Sequence, residues 1–114
     1  MAAACAVDSG LIGGIVPKTV QLRTYTIRDG LLDEWATRWR ESVVPLRLKL
    51  GFGIGGAWLD HERNRFVWVI WYEGEETFEE ANQRYWASPE REAMDLDPSD
   101  YLVDRDVRVV EQVY

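Results

Sequence analysis

The side chains that could do chemistry in this sequence are three tyrosines and one asparagine. Tyr25, Tyr72 and Tyr85 fall within segments rich in apolar or β-branched residues. A buried phenol needs a hydrogen-bond partner, and it can polarise a carbonyl or hold a phenolate. Asn82 falls on an otherwise apolar helical face, where an inward amide is costly unless it bonds a ligand or backbone. These four are the candidate catalytic groups; the alternative is surface tyrosine tips and an asparagine that caps a nearby carbonyl.

Tryptophans are the candidate substrate-binding residues. Trp35 and Trp39 share one predicted helical stripe and would form an aromatic wall against a sheet. Core packing alone produces such stripes too, so both interpretations stay open. Trp58, Trp68 and Trp71 divide between the two faces of the predicted sheet, and Trp68 completes the aromatic part of the candidate site.

Among the charged and titratable residues, Arg23 is a further candidate binding residue, whereas His61 is a poor candidate for a general base. Arg23 is a cation within the first predicted strand, and we expect it to pair with Asp104 or Asp106 of the last strand; a ligand anion is the alternative partner. His61, the only histidine, has the ordinary pKa of a general base, but it falls in a polar hairpin turn. We expect it to be a solvated loop residue, and this position also argues against a haem ligand.

Composition excludes several classes of function. The 114 residues contain 13 basic and 20 acidic side chains, so the net charge of −7 disfavours nucleic acid and membrane partners. A single cysteine, Cys5, forms no internal disulfide and fits a reducing, cytoplasmic location. With one cysteine and one histidine the usual zinc sites cannot form, and the glycines of residues 51–56 lie in a strand, so no nucleotide loop is present. We predict no metal and no cofactor.

Hydrophobic periodicity predicts the elements that must position these residues. Residues 19–28 alternate as a first strand. Apolar residues at spacings of three and four then form a helical stripe, which Pro45 should kink or split: Leu32, Trp35, Trp39, Val43, Leu46 and Leu50. Glycine-rich residues 51–60 form a second strand, in which the glycines suggest a bulge or a close approach by another backbone.

The second half of the chain repeats this pattern. Residues 65–72 form a third strand, and the capping-box pair Thr77 and Glu80 starts a second helix. Residues 101–114 contain a last strand. The order βαββαβ predicts an α+β, ferredoxin-like domain over residues 19–114, with a four-stranded antiparallel sheet, after a flexible leader over residues 1–18.

The third strand has apolar or aromatic side chains on both faces, from Phe66 to Tyr72. A chain of this length supplies one layer of helices, which covers one face of the sheet. We therefore expect a second copy to cover the other face, so that the chain assembles as a homodimeric α+β barrel with ligand-sized apolar space.

Short blocks of residues follow one order along the chain. They are Leu22-Arg23-Thr24-Tyr25-Thr26 with Gly30, Trp39, Val44-Pro45-Leu46, Gly51-Phe52, Arg65-Phe66-Val67-Trp68 and Tyr85-Trp86-Ala87-Ser88-Pro89-Glu90-Arg91. In this order the blocks resemble the NIPSNAP family, from about Thr19 to the C-terminus. The resemblance implies a dimeric α+β barrel, similar in shape to antibiotic-biosynthesis monooxygenases and small polyketide cyclases. It implies no reaction and transfers no catalytic residues.

Two functions follow as hypotheses. The first is a cofactor-independent tailoring enzyme of bacterial secondary metabolism, of monooxygenase, cyclase or isomerase type, whose pocket orients a hydrophobic, aromatic substrate while tyrosine or asparagine polarises a carbonyl. The second is a non-catalytic binding or protein-interaction module in which the same residues form the core. The high aromatic content favours the first hypothesis, and so does the analogy of fold, although proteins that share a fold can differ in function.

Overall fold

The computed structural model describes residues 18–114. The predicted leader, residues 1–18, lies outside the described residues except for Lys18, which begins the first strand. The strands are β1 (Lys18–Ile27), β2 (Phe52–Asp60), β3 (Arg65–Glu73) and β4 (Leu102–Val110). The helices are α1 (Leu32–Arg38), α2 (Val44–Lys49), α3 (Phe78–Ala87) and α4 (Pro89–Ala93), with a π-helical turn at Trp39–Val43 and a 3₁₀ turn at Pro98–Asp100. Over residues 18–114, no helix combines the length and apolar content needed to cross a bilayer.

The four strands form one antiparallel sheet in the order β2-β3-β1-β4. The two long strands β1 and β3 therefore lie at the centre, and the helices connect β1 to β2 and β3 to β4. This arrangement confirms the predicted ferredoxin-like α+β fold. Its consequence for function is that central residues such as Arg23 and Trp68, which lie opposite each other, face the middle of the helix layer.

The predicted break in the first helical stripe occurs as a π-helical turn. Pro45 is the second residue of α2, and it has no N–H to donate to the preceding turn. Just before it, the Val44 N–H donates to the Trp39 carbonyl, five residues back. The wider turn leaves Trp35 and Trp39 on the buried side, so both indoles face the sheet.

The second helical region also begins as predicted. The Thr77 hydroxyl accepts a hydrogen bond from the Glu80 N–H, and the Glu80 carboxylate accepts one from the Thr77 N–H. This capping box starts α3. Ser88 then caps α4 through the Arg91 N–H, and Pro89 is the first residue of that helix.

The two faces of β3 are both apolar, as predicted. Phe66, Trp68 and Ile70 point to the helix layer and are buried, whereas Val67, Val69 and Trp71 alternate onto the opposite face. Aromatic contacts place α1 and α3 on the same side of the sheet, because the sheet residues Phe66 and Phe52 contact Trp35 of α1 and Phe78 of α3 respectively. We call the opposite face, centred on Val69, the open face. A second copy over the open face stays a prediction.

The glycines of β2 produce the predicted bulge but not an approach by another backbone. The register with β3 shifts between Ile54 and Gly56. An indole, not a backbone, comes close: a Cβ on Gly53 would lie 2.0 Å from the Trp71 ring, and one on Gly56 would lie 2.7 Å from Trp58. The glycines thus allow tryptophans to lie flat along the open face.

Candidate functional site

A small cavity lies between the sheet and the helices, with a volume of about 30 Å³. Its lining includes six of the eight predicted site residues: Arg23, Tyr25, Trp35, Trp39, Trp68 and Tyr85. The predicted aromatic wall therefore forms one side of a real interior space. The volume is enough for about one or two water molecules, because one water needs roughly 10–15 Å³ by this measure.

The aromatic lining packs through ring edges and faces. Trp39 lies with its ring centre 4.9 Å from that of Phe66 and 5.3 Å from that of Trp68. Tyr25 contacts Trp35 and Trp68 at 6.0 and 6.2 Å. These steep, edge-on contacts are the favourable geometry for aromatic pairs.

Arg23 is buried at the cavity, and its predicted partners are wrong. Its guanidinium donates to the Gln21 side-chain oxygen at 2.8 and 3.0 Å and to the Tyr25 hydroxyl at 3.2 Å. In β4 it pairs in register with Val107, whereas Asp104 and Asp106 pair with Thr26 and Thr24.

Strand alternation explains this correction. Because neighbouring residues of β1 point to opposite faces, the side chains of Thr24 and Asp106 lie on the open face, away from Arg23. No cross-strand carboxylate reaches the Arg23 guanidinium within the described chain. The charge of Arg23 is therefore met by neutral oxygens alone.

Two further buried arginines, which are not among the predicted site residues, line the cavity. Arg47 of α2 is only 2% exposed, and its guanidinium carbon lies 3.6 Å from the centre of the Tyr85 ring. It donates to the Asn82 side-chain oxygen at 2.8 Å. Arg91 of α4 is 6% exposed, donates to the Leu96 carbonyl at 3.0 Å and stacks 4.3 Å from Trp86. Both stacks are cation–π contacts.

The burial of Arg47 has an energetic cost. Loss of hydration lowers the pKa of Arg47 to about 10, and repulsion from Arg23 and Arg91 adds to this effect, while the tyrosines oppose it. A shift of this size corresponds to about 3 kcal/mol of folding free energy lost at neutral pH. Three like charges are thus held near one another inside the fold at the expense of stability.

The cavity lining contains buried polar atoms that lack a hydrogen-bond partner among residues 18–114, and all of them are donors. They are the indole N–H groups of Trp35, Trp39 and Trp68 and the Nε–H groups of Arg47 and Arg91. A native fold leaves few buried donors unsatisfied, so a concentration of them in one place calls for an explanation. Oxygen atoms of a ligand are acceptors that could satisfy them.

Tyr85 is the candidate phenol most closely surrounded by these charges. Burial raises its pKa, and the nearby guanidiniums of Arg47 and Arg91 oppose that rise. Because the net shift is upward, the phenol is protonated at neutral pH and can donate a hydrogen bond. Tyr25 accepts from Arg23, which leaves its own O–H free to donate within the cavity.

Two predicted catalytic residues lie outside the cavity. The Tyr72 hydroxyl donates to the Glu76 carboxylate at 2.8 Å, and this hydrogen bond, followed by burial, raises the pKa of Tyr72. Asn82 is half-buried and holds Arg47 by its oxygen. Tyr72 thus lies on the helix side of β3, partly buried against Phe52, but outside the lining of the cavity. Asn82 is connected to the cavity through its hydrogen bond with Arg47.

The sequence does contain a weak signal for Arg47. It lies four residues after Val43, so it falls on the same helical face as the apolar stripe. A basic residue there is normally read as an exposed or snorkelling side chain.

His61 is exposed in its turn, as expected. Residues 18–114 contain no group of three or more histidine, cysteine, aspartate or glutamate side chains that could hold a metal ion.

Comparisons with known proteins agree with this fold. A sequence model of the NIPSNAP family matches residues 20–111. The solved structure of a NIPSNAP family protein from Agrobacterium tumefaciens is 15% identical, with a TM-score of 0.72 over 83% of this chain and 92% of that one. A NIPSNAP domain protein from Burkholderia xenovorans is 18% identical, with a TM-score of 0.68 over 83% and 94%.

The same fold occurs in a second group of proteins. A putative antibiotic biosynthesis monooxygenase from Bacteroides thetaiotaomicron is 18% identical, with a TM-score of 0.63 over 85% of this chain and 90% of that one. At such identities the likeness concerns the fold alone. A comparison with curated proteins found no match.

Proposed function

This chain belongs to the NIPSNAP family, and from that premise we propose that it binds a planar, aromatic small molecule in the cavity between its helices and its sheet. The reaction type that suits such a site is cofactor-independent tailoring chemistry of the monooxygenase, cyclase or isomerase kind, in bacterial secondary metabolism. Support comes from the shared fold with a putative antibiotic biosynthesis monooxygenase. The observation that carries the proposal is the aromatic cavity lining whose unpartnered polar atoms are all donors.

The tyrosines have distinct roles in this proposal. Tyr85, protonated at neutral pH, donates a hydrogen bond to a substrate carbonyl. Tyr25 donates a second one, and Arg23 stabilises negative charge that develops on the Tyr25 oxygen. Trp35, Trp39 and Trp68 hold the substrate plane by ring contacts, which fixes its orientation for reaction.

Assembly is part of the same proposal. We propose that two copies pack through their open faces, which would cover Val67, Val69 and Trp71. The helix-side cavity of each copy would remain separate from this contact, because it lies on the opposite face of the sheet. Each copy would therefore carry its own site.

A second candidate function has its own supporting observation. The cavity volume of about 30 Å³ is far below that of ligand pockets, which are typically about 300–1,000 Å³. If these side chains keep their packing at all times, the aromatic residues are simply the core. The chain would then act as a non-catalytic binding or interaction module through its open face.

Ligand titration distinguishes the two candidates. The purified protein is titrated with a panel of quinones and polyketide-like aromatics while tryptophan emission and melting temperature are followed. We expect saturable quenching that weakens in Tyr25→Phe and Tyr85→Phe. Tyr72→Phe is the matched control, because it removes the same hydroxyl outside the cavity. A flat response across the panel would favour the interaction module.

A further inference from the structure

The cavity collects positive charge without collecting negative charge. Arg23, Arg47 and Arg91 are each at most 6% exposed, and all three line the cavity. Within residues 18–114, no carboxylate forms an ion pair with any of them. Their accepting partners are neutral: a glutamine side chain, a tyrosine hydroxyl, an asparagine side chain and a backbone carbonyl.

This arrangement is unusual for an acidic protein. The chain carries 20 acidic side chains and a net charge of −7, so carboxylates are abundant. Surface arginines do find them: Arg63, Arg84 and Arg108 each lie within 3.2 Å of an acidic oxygen. Buried charges are normally paired, and these buried guanidiniums are the exception.

We infer that the ligand of this cavity is an aromatic oxyanion, either a carboxylate or a phenolate attached to a planar ring. The inference rests on the proposed function and specifies its ligand. A guanidinium offers donors in a fixed fork that matches a carboxylate, and ligand charge would offset the repulsion among the three arginines. The five unpartnered donors of the lining could also be satisfied by the oxygens of such a ligand.

The ring of the ligand needs more space than the cavity of about 30 Å³ provides, so part of the lining has to move. Tyr85 and Trp86 already stack against Arg47 and Arg91, so flat surfaces and charges alternate along this wall. Trp86 is 41% exposed and lines the cavity, as does the exposed Arg105. Outward rotation of the Trp86 side chain would enlarge the cavity for a bicyclic ring. Arg105 would attract an approaching anion.

Matched ligands test the charge requirement directly. Calorimetry compares 2-naphthoate with the neutral 2-naphthamide, which has nearly the same shape. We expect naphthoate to bind at least about tenfold more tightly, with an affinity that falls as salt increases. Equal affinities would overturn the inference and leave the aromatic pocket of the proposed function standing. If neither naphthoate nor naphthamide binds, the inference is also overturned. The proposed function is then tested separately by the titration with quinones and polyketide-like aromatics.

Matched variants locate the charge. Arg47→Met and Arg91→Met should each weaken naphthoate binding at least about tenfold and weaken naphthamide binding much less, so that the difference between the two ligands shrinks. Arg63→Met removes the same charge in an exposed turn and should change neither affinity. Arg47→Lys keeps the charge but loses the fork, so it should also weaken naphthoate binding, although less than Arg47→Met does. If Arg63→Met weakens naphthoate binding as much as Arg47→Met does, the effect reflects net charge alone, and the proposed binding site is wrong.

Discussion

The two faces of the sheet distribute charge in opposite ways. The helix-covered face buries Arg23 and faces the buried Arg47 and Arg91, although a covered face is normally apolar. The open face has Val69 and Trp71 at its centre, with charged residues such as Asp106 towards the edge strand β4, although the centre of an uncovered face is normally polar. Each face therefore departs from the ordinary pattern of a two-layer domain.

The departures call for different molecules. Buried cations without acidic partners are stabilised by a small anion, which can enter an interior cavity. An apolar sheet face is stabilised by another apolar surface of similar size, such as a second copy. A monomer without ligand is thus under-stabilised on both faces, and each face can be tested without disturbing the other.

The largest effect is expected from a charge placed on the open face. Val69→Lys puts an ammonium at the centre of the proposed contact in both copies, which costs several kcal/mol when that face is buried. We expect dimers at micromolar concentration to dissociate into folded protomers, as measured by sedimentation. Val109→Lys is the control, because Val109 is 72% exposed at the edge strand. If the parent protein is already monomeric, the open face has no such partner.

A smaller effect is expected when alanine substitutions compare how deeply each face of the sheet is buried. Ile70 is fully buried on the helix side, so Ile70→Ala should destabilise the fold by about 3 kcal/mol in urea unfolding. Val69→Ala, one residue away on the open face, should cost about 1 kcal/mol in dilute protein. Its cost should grow at concentrations that favour the dimer. Equal costs at all concentrations would contradict the contrast between the faces.

The sequence could predict most of the fold because local patterns determine it. The π-helical break follows from Pro45, the start of α3 from its capping box, and the apolar character of both faces of β3 from its continuous apolar run. Each of these signals depends on residues within a few positions of one another. The NIPSNAP resemblance, which the family comparison confirms, used blocks spread over the same elements.

The site was harder to predict because it depends on contacts between distant segments. Arg47 is buried because Asn82 and Tyr85 of another helix enclose it, and no local pattern reports this. The Arg23 partner was wrong because strand register decides which face an aspartate occupies. Tyr72 lies near the end of its strand, where its hydroxyl bonds Glu76 outside the cavity lining.

The arginines themselves provide a third test of the comparison. Arg47→Met removes a charge whose burial is costly, and the methionine keeps apolar contact with Tyr85. After loss of the stacking and of the Asn82 hydrogen bond, we expect a net gain of about 1 kcal/mol in unfolding free energy. Arg84→Met, which breaks a surface ion pair with Glu76, should lose up to about 1 kcal/mol. A stabilised variant that no longer binds the anion would show that Arg47 is retained for function.

The smallest effect concerns the surface, where arginines do have acidic partners. Hydrogen bonds from Arg84 and then Tyr72 lower the pKa of Glu76 below its ordinary value. A carboxyl whose pKa is lower in the folded state stabilises the protein when it is ionised. That contribution is complete above the ordinary carboxyl pKa and is lost as the pH falls through the lowered one. Glu76→Gln should therefore lower the melting temperature slightly at pH 7.

The pH dependence of this difference provides the check. The gap in melting temperature between the parent and Glu76→Gln should close in acid, because Glu76 is then protonated in both folded and unfolded chains. Glu75→Gln makes the same charge change at an exposed neighbour and controls for net charge. If the difference in melting temperature stays constant down to low pH, the ion pair between Arg84 and Glu76 does not stabilise the fold. In that case, the presence of an acidic partner would not make a surface arginine more favourable for stability than a buried, unpaired one.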